Sequence, residues 1–176
     1  MDTPKITLII PMYNESRIIA DTAKTVSEYM RNNFELYEII FSDDGSKDGS
    51  ADIVTKLNLP CVRVLSYEKN HGKGCAVRTG MLASTGDIVM FTDADLAYGT
   101  DVIKRAYDIL KDSDASMLIG SRNLSKDGYE GYTRLRKLMS KAYIKVLCMA
   151  GGFKLSDSQC GRKAYKGDAV KKIFER

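Results

Sequence analysis

The amino-acid sequence predicts an α/β protein with a doubly wound, mostly parallel sheet. Two observations carry this prediction. Short apolar runs bounded by turn formers alternate five times along the chain with segments of helical periodicity. Each apolar run is also followed by a polar loop, as in β-α-β units, whose right-handed crossovers place helices on both faces of a sheet.

The elements can be assigned in chain order from these patterns. Apolar runs predict strands over residues 5–10, 37–42, 62–67, 86–91 and 116–120. Apolar residues at helical spacing predict helices over residues 18–30, 51–57, 75–84, 101–111 and 132–149. We expect the first strand to end at Pro11, because proline cannot donate a hydrogen bond within a central strand.

Length and composition limit the class of protein. A chain of 176 residues, 44% hydrophobic and 28% charged, is typical of about one soluble globular domain. No apolar run reaches the roughly 20 residues that span a bilayer, and the N-terminus lacks a signal-peptide pattern. Four scattered cysteines and a single histidine argue against a structural zinc site. They predict reduced thiols in a cytosolic protein.

Charge is unevenly distributed along the chain. Residues 1–120 carry 13 Lys and Arg against 18 Asp and Glu, whereas residues 121–176 carry 14 against 5. The basic second part predicts an anionic partner, either a membrane surface or a phosphate. A solvated basic face is the alternative. The absence of a nucleic-acid-binding motif disfavours a nucleic-acid partner.

Two carboxylates, Asp93 and Asp95, follow the apolar run over residues 86–91. Open α/β sheets bind ligands outside the carboxyl ends of their strands. Carboxylates suit Mg²⁺ or Mn²⁺, and magnesium sites often combine one or two of them with substrate phosphates. This position therefore predicts a metal-bridged pyrophosphate site, with simple capping of the next turn as the alternative.

A glycine-rich loop precedes the helix predicted over residues 75–84. Gly72-Lys73-Gly74 has two of the three glycines of a dinucleotide fingerprint, but Val77 stands where the third is needed, and the loop follows the third strand. A dehydrogenase is therefore disfavoured, and a Walker A sequence is absent. Lys73 and the loop amides are candidates for phosphate contact, unless this is a plain solvent loop.

Four motifs in this order resemble those of family 2 glycosyltransferases. They are Pro11-Met12-Tyr13-Asn14-Glu15, Asp43-Asp44-Gly45-Ser46, Asn70-x-Gly72-Lys73-Gly74-x-Ala76 and Asp93-Ala94-Asp95. The resemblance implies the GT-A fold. Three later segments narrow it to polyprenyl-phosphate or dolichyl-phosphate glucosyl- and mannosyltransferases: Ser121-Arg122, Arg136-x-x-x-Ser140 and Asp157-Ser158-Gln159-Cys160-Gly161.

The resemblance implies a nucleotide-sugar donor and assigns residues to it. Asp44 would accept a hydrogen bond from a base N–H. Asp93 and Asp95 would contact the ribose and a Mg²⁺ or Mn²⁺ ion, with Asp95 also counted as catalytic. The other implied donor contacts are Pro11, Tyr13, Glu15, Asp43, Lys73 and Ala94.

The resemblance also implies a lipid-phosphate acceptor. Arg122, Arg136 and Ser140 match family positions that hold the lipid phosphate, and guanidinium groups suit phosphate geometry. The basic amphipathic helix over residues 132–149 would rest on an anionic membrane, or else pack on the core with a solvated back. Asp157 would be the catalytic base towards a hydroxyl acceptor. It would only orient groups if the acceptor is a phosphate, which is already ionised.

The resemblance implies an inverting, metal-dependent transferase that moves a hexose to a polyprenyl phosphate at the cytosolic membrane face. Ala97, where the mannosyl branch has glutamine, favours UDP-glucose over GDP-mannose. We expect one GT-A domain over residues 1–176, with residues 1–120 binding the donor, residues 121–176 forming the acceptor side, and a C-terminus shorter than in relatives. The alternatives are a saccharide-hydroxyl acceptor and an inactive nucleotide-sugar-binding module.

Overall fold

The structure, a computed structural model, describes residues 3–97, 99–120 and 162–175. The strands in these ranges are β1 (Ile6–Met12), β2 (Tyr37–Asp43), β3 (Val62–Ser66), β4 (Ile88–Phe91), β5 (Met117–Ile119) and β6 (Lys163–Lys166). The helices are α1 (Ile19–Asn33), α2 (Ser50–Lys56), α3 (Lys73–Ala83), α4 (Asp101–Lys111) and α5 (Gly167–Phe174). The six strands form one sheet in the order β3-β2-β1-β4-β6-β5.

The sheet is mostly parallel and doubly wound, which confirms the predicted fold class. The β1–β2, β1–β4 and β2–β3 pairs are parallel, and β4–β6 is antiparallel. Successive side chains of a strand point to opposite faces. Leu8 and Ile10 therefore pack in a buried cluster with α1, α2 and α4, whereas Ile9 packs in a second cluster with α3 and α5. Burial of each such side chain contributes about 1.5–3 kcal/mol.

β1 continues through Pro11, so the prediction that the strand ends there is wrong. The ladder between β1 and β4 stops at the pair of Ile9 and Phe91, whereas the ladder with β2 continues to Met12. The Ile9 carbonyl accepts a hydrogen bond from the Thr92 N–H, and Pro11, two residues later, faces the same side. Since β4 has already ended on that side, the missing N–H of proline costs no ladder hydrogen bond.

β6 and α5 are not predicted from the sequence. β6 pairs with β4 near the centre of the sheet, where Ala164 and Tyr165 are buried. Met1–Leu118 and Arg162–Arg176 form one compact unit. Residues 163–166 thus complete the sheet of the first part. The predicted division into a donor part over residues 1–120 and an acceptor part over residues 121–176 stays a prediction. Among the described residues, no helix has both the length and the apolar character needed to cross a bilayer.

A buried carboxylate joins the strands at their amino ends. Glu38 of β2 is 9% exposed, and its Oε1 accepts hydrogen bonds from the Thr7 hydroxyl and from the Thr85 N–H and hydroxyl, each at 2.7 Å. Arg63 Nη2 lies 3.3 Å from Oε2. Burial raises the pKa of Glu38, but these hydrogen bonds lower it by more, so the pKa lies below its usual value. Glu38 of β2 is therefore ionised and connects this strand by hydrogen bonds to β1 and to the loop before β4.

Candidate functional site

A cavity of about 440 Å³ opens at the carboxyl edge of the sheet. The loops that follow β1, β2, β3 and β4 all contribute to its wall. Its lining residues are Pro11, Met12, Tyr13, Glu15, Asp44, Asn70, Gly72, Lys73, Ala76, Asp93 and Asp95. Four separate segments of the chain thus converge where parallel α/β sheets place their ligands. A larger cleft of about 690 Å³ lies at the opposite edge, around the start of α5, and gathers none of these residues.

The β1–α1 loop is fastened to the β2–α2 loop by hydrogen bonds. Asn14 adopts a left-handed backbone conformation with φ of 55°, and its N–H donates to the Ser46 hydroxyl at 2.9 Å. Its side-chain oxygen accepts from the Lys47 N–H at 3.0 Å. The Glu15 N–H donates to the Ser50 hydroxyl at 2.9 Å. These bonds fix Tyr13 and Glu15, the two cavity residues on either side of Asn14. The residues were predicted from the sequence, but these hydrogen bonds were not.

Asp44 holds the β3–α3 loop. Its Oδ1 accepts hydrogen bonds from the Tyr67 hydroxyl at 2.6 Å and the His71 N–H at 2.9 Å, and its Oδ2 accepts from the Gly72 N–H at 2.8 Å. Asp44 is 2% exposed. Burial raises its pKa, but the three hydrogen bonds lower it by more, so Asp44 is ionised at neutral pH. A buried, charged acceptor therefore faces the cavity from a fixed position.

Gly45 allows the two loops to approach each other closely. Its φ of +75° lies in the left-handed region, and a Cβ at this position would stand 2.8 Å from the backbone carbon of Lys69. Any other residue would push the β3–α3 loop away from Asp44. The aspartate–glycine pair is thus a close-packing requirement of the site as well as a turn signal.

Asp43 does not line the cavity. It is 1% exposed and accepts hydrogen bonds from the Ser66 hydroxyl at 2.7 Å and from the Ser46 hydroxyl. The carboxylate joins the ends of β2 and β3 beneath the cavity wall. The implied contact of Asp43 with the donor stays a prediction, and the geometry gives this residue a supporting place.

The two acids after β4 are open to solvent. Asp93 has a side chain that is 31% exposed, and its Oδ1 forms an ion pair with Lys73 Nζ. Asp95 is exposed, and its Oδ1 accepts a hydrogen bond from the Ala97 N–H at 3.1 Å. Lys73 thus meets a predicted metal ligand across the cavity. With respect to the part of the chain that the structure describes, both acids keep carboxylate oxygens available to a ligand.

The peptide between these acids is anchored to α1. Ala94 is buried, and its carbonyl accepts a hydrogen bond from the Thr22 hydroxyl at 2.7 Å. Ala94, predicted as a donor contact, does not line the cavity. Its buried methyl group and bonded carbonyl hold the loop so that the acids on either side project from it.

The two carboxylates after β4 fit a divalent metal ion that prefers oxygen ligands. Within residues 3–97, 99–120 and 162–175, no group of three or more His, Cys, Asp or Glu side chains could enclose an ion. Two neighbouring carboxylates suit Mg²⁺ or Mn²⁺ that takes further ligands from a bound diphosphate. They do not suit a structural zinc ion, which needs four protein ligands.

The structure gathers the predicted residues Pro11, Tyr13, Glu15, Asp44, Lys73, Asp93 and Asp95 around one cavity. The predictions for Arg122, Arg136, Ser140, Asp157 and the helix over residues 132–149 lie outside the described residues. Met12 and Tyr67 were missed. Tyr67 closes an apolar run and precedes the glycine-rich loop, which is the position from which a side chain could reach the neighbouring strand end.

Comparison with known families agrees with this geometry. The model of "Glycosyl transferase family 2" matches residues 7–174. The chain belongs to glycosyltransferase family 2. Among its family 2 relatives is a dolichyl-phosphate beta-glucosyltransferase of Trichomonas vaginalis, 34% identical over 96% of this chain and 53% of the relative. Another is a bactoprenol glucosyl transferase of Shigella phage SfX, 34% identical over 81% of this chain and 46% of the relative.

Solved structures share the fold of this family 2 chain. Glucosyl-3-phosphoglycerate synthase from Mycobacterium tuberculosis, solved with Mn²⁺, UDP and phosphoglyceric acid, matches with a TM-score of 0.66 at 21% identity. The match covers 94% of this chain and 56% of that protein. It confirms the GT-A fold. The chain spans about half the length of the relatives that it matches.

Proposed function

We propose that this chain carries an inverting, metal-dependent transferase activity that moves glucose from UDP-glucose to a polyprenyl or dolichyl phosphate. The observation that carries the proposal is the cavity at the carboxyl edge, which gathers residues from all four family motifs. The names of two relatives, a dolichyl-phosphate and a bactoprenol glucosyltransferase, support glucose as the sugar and a lipid phosphate as the acceptor. The reaction would take place at the cytosolic face of a membrane, to which the protein binds peripherally.

The donor nucleotide would enter along the ends of β1, β2 and β3. Tyr13, 45% exposed at the cavity, offers a ring face to the base or ribose. Asp44 accepts a hydrogen bond from a base N–H, because its carboxylate is ionised and fixed. Pro11 and Glu15 form the adjoining wall, and Asp43 supports it from below.

The diphosphate would lie between α3 and the acids after β4. Asp93 and Asp95 would hold Mg²⁺ or Mn²⁺, which when bound neutralises charge on the departing diphosphate. Lys73 is at the first turn of α3, where the N-terminal amides of a helix favour anions. A diphosphate would compete with Asp93 for the Lys73 ammonium group and so draw this lysine towards the donor.

The acceptor side of the proposal rests on family resemblance. Arg122, Arg136 and Ser140 would bind the lipid phosphate, which is already ionised at neutral pH. The phosphate would attack the anomeric carbon from the face opposite the diphosphate, with inversion. Asp157 would then orient the sugar or Arg136, whereas a hydroxyl acceptor would need it as a general base.

Transfer of a labelled sugar tests the proposal. The chain is incubated with Mn²⁺, a polyprenyl phosphate in detergent micelles and either UDP-[¹⁴C]glucose or GDP-[¹⁴C]mannose, and the label in the organic phase is counted. We expect label from UDP-glucose in a β-linked lipid product, and none after chelation of the metal. Soluble saccharides serve as competing acceptors.

Each alternative outcome has a distinct meaning. Label from GDP-mannose alone would contradict the donor assignment. Transfer to a saccharide and not to the lipid would contradict the acceptor assignment. UDP binding without turnover on any acceptor would overturn the enzyme assignment in favour of a nucleotide-sugar-binding module.

A further inference from the structure

The Asp44 carboxylate has little acceptor capacity left for a ligand. A carboxylate offers about four positions for hydrogen-bond donors, two on each oxygen. Oδ1 already accepts two donors, the Tyr67 hydroxyl and the His71 N–H. The structure gives Oδ2 one donor among the described residues, the Gly72 N–H. One position, on Oδ2, is therefore left for a molecule in the cavity.

The nucleobases differ in how many donors they bring to such a carboxylate. Uracil presents a single N–H, flanked by two carbonyl oxygens that a bare carboxylate oxygen would repel. Guanine presents its ring N–H and its amino group side by side, a pair of donors that matches both oxygens of a free carboxylate. A carboxylate with one open position can satisfy uracil fully and guanine only in part.

We propose that Tyr67 is a specificity-determining residue: by occupying Oδ1 of Asp44, it limits the base to one hydrogen bond and thereby favours uracil over guanine. The inference rests on the proposed function, because it requires a nucleotide base at Asp44. It extends that function, since it names the side chain that excludes the second donor. Tyr67 acts through Asp44 and does not line the cavity.

Tyr67 is well suited to this task. It follows directly after β3, whose register against β2 fixes the approach of the phenol to Asp44. Burial raises the pKa of Tyr67, and the hydrogen bond that the phenol donates to the Asp44 carboxylate raises it further, so the phenol remains a donor at neutral pH. The His71 ring packs beside Tyr67, with 5.6 Å between ring centroids. The phenol is thus held by its hydrogen bond to Asp44 and by its contact with the His71 ring.

Binding of three nucleoside diphosphates tests the inference. UDP, GDP and IDP are titrated calorimetrically, with Mn²⁺ present throughout, into the wild-type chain and the Tyr67→Phe variant. IDP has the size of GDP but lacks its amino group, so the GDP-to-IDP affinity ratio reports the second donor alone. We expect UDP to bind most tightly to the wild type, and GDP and IDP to bind equally within about twofold.

The Tyr67→Phe variant should change that ratio. With Oδ1 partly released, the guanine amino group gains a charge-assisted hydrogen bond, and the GDP-to-IDP ratio should rise about tenfold. Tyr107→Phe is the matched control, because its hydroxyl donates a hydrogen bond to the Pro4 carbonyl at 2.9 Å and lies away from the cavity. This control should leave all three affinities unchanged.

Several outcomes would overturn the inference. A wild-type chain that binds GDP about tenfold more tightly than IDP already uses both carboxylate oxygens, and this measurement stands even if Tyr67→Phe does not fold. A folded Tyr67→Phe variant with an unchanged ratio would also contradict it, while UDP binding would leave the proposed function intact. If no diphosphate binds, the proposed function fails and the inference falls with it.

Discussion

Two pairs of acidic residues at the same edge of the sheet differ in burial and in hydrogen bonding. Asp43, which ends β2, and Asp44, which follows it, are 1% and 2% exposed. Both carboxylates accept hydrogen bonds from side chains and backbone of neighbouring segments. Asp93 and Asp95, which follow β4, face solvent and have few partners among the described residues. The bonded pair gives the cavity its shape, and the open pair retains the capacity to bind a cation. We therefore expect substitutions to separate folding from ligand binding.

Asp95→Ala should have the largest effect on binding. Loss of a metal ligand should weaken Mn²⁺-dependent UDP binding about 100-fold or more, since even partners that only support metal ligands contribute 10–100-fold. Stability should change by less than about 0.5 kcal/mol, because Asp95 is exposed. Calorimetric titration with UDP and Mn²⁺, together with urea denaturation, measures both quantities.

Asp114→Ala is the charge-matched control for this variant. Asp114 is exposed in the turn after α4, at the opposite edge of the sheet from the cavity. We expect its UDP affinity to equal that of the wild type. An Asp95→Ala chain that keeps full Mn²⁺-dependent affinity for UDP would contradict the metal-binding role of the exposed pair.

Asp43→Ala should have the opposite profile. The substitution removes the buried carboxylate that accepts hydrogen bonds from the Ser46 and Ser66 hydroxyls, and loss of these charge-assisted bonds should cost about 2 kcal/mol of stability. UDP affinity of the folded fraction should fall only severalfold, through loosening of the loops around Asp44. Urea denaturation and titration of the same samples measure the two effects. A stable variant with a 100-fold binding defect would instead make Asp43 a direct donor contact.

The general position of the site could be predicted from the sequence. Parallel strands bring their carboxyl ends to one edge, so polar residues after each apolar run had to meet there. It could not be predicted that Asp44 lines the cavity whereas Asp43 joins the ends of β2 and β3. Successive residues point in opposite directions, and which of them reaches the cavity depends on where β3 and its loop lie, a contact that local sequence does not encode.

Long-range pairing also explains the errors in the predicted fold. β6 is a four-residue strand with lysine at each end, and it becomes a strand because β4 offers an open edge more than 70 residues earlier in the chain. From the local sequence alone, Pro11 is expected to end the strand. It is tolerated because β4 ends before reaching it, which is a property of the neighbouring strand.

Glu38 is a buried carboxylate that accepts several hydrogen bonds, as Asp44 does, but it lies at the opposite edge of the sheet, away from the cavity. Glu38→Gln should cost about 1–2 kcal/mol of stability at pH 7 and leave UDP affinity unchanged, since it weakens charge-assisted hydrogen bonds from Thr7 and Thr85 and the contact with Arg63. Urea denaturation of both chains gives the difference in free energy of unfolding, and UDP titration provides the binding control.

The pH dependence of the stability difference between wild type and Glu38→Gln shows whether this difference arises from the charge of Glu38. The pKa of Glu38 is lower in the folded protein than its usual value of 4.5, so the folded state favours the ionised carboxylate. The resulting stability is fully present above about pH 4.5 and is lost as the pH falls through the lower folded pKa. Asp44 also has a lowered pKa, but it contributes equally in both chains. The stability difference between wild type and Glu38→Gln should therefore shrink as the pH falls from about 4.5 through the lower folded pKa. A difference that stays constant would mean that the loss reflects packing and not charge.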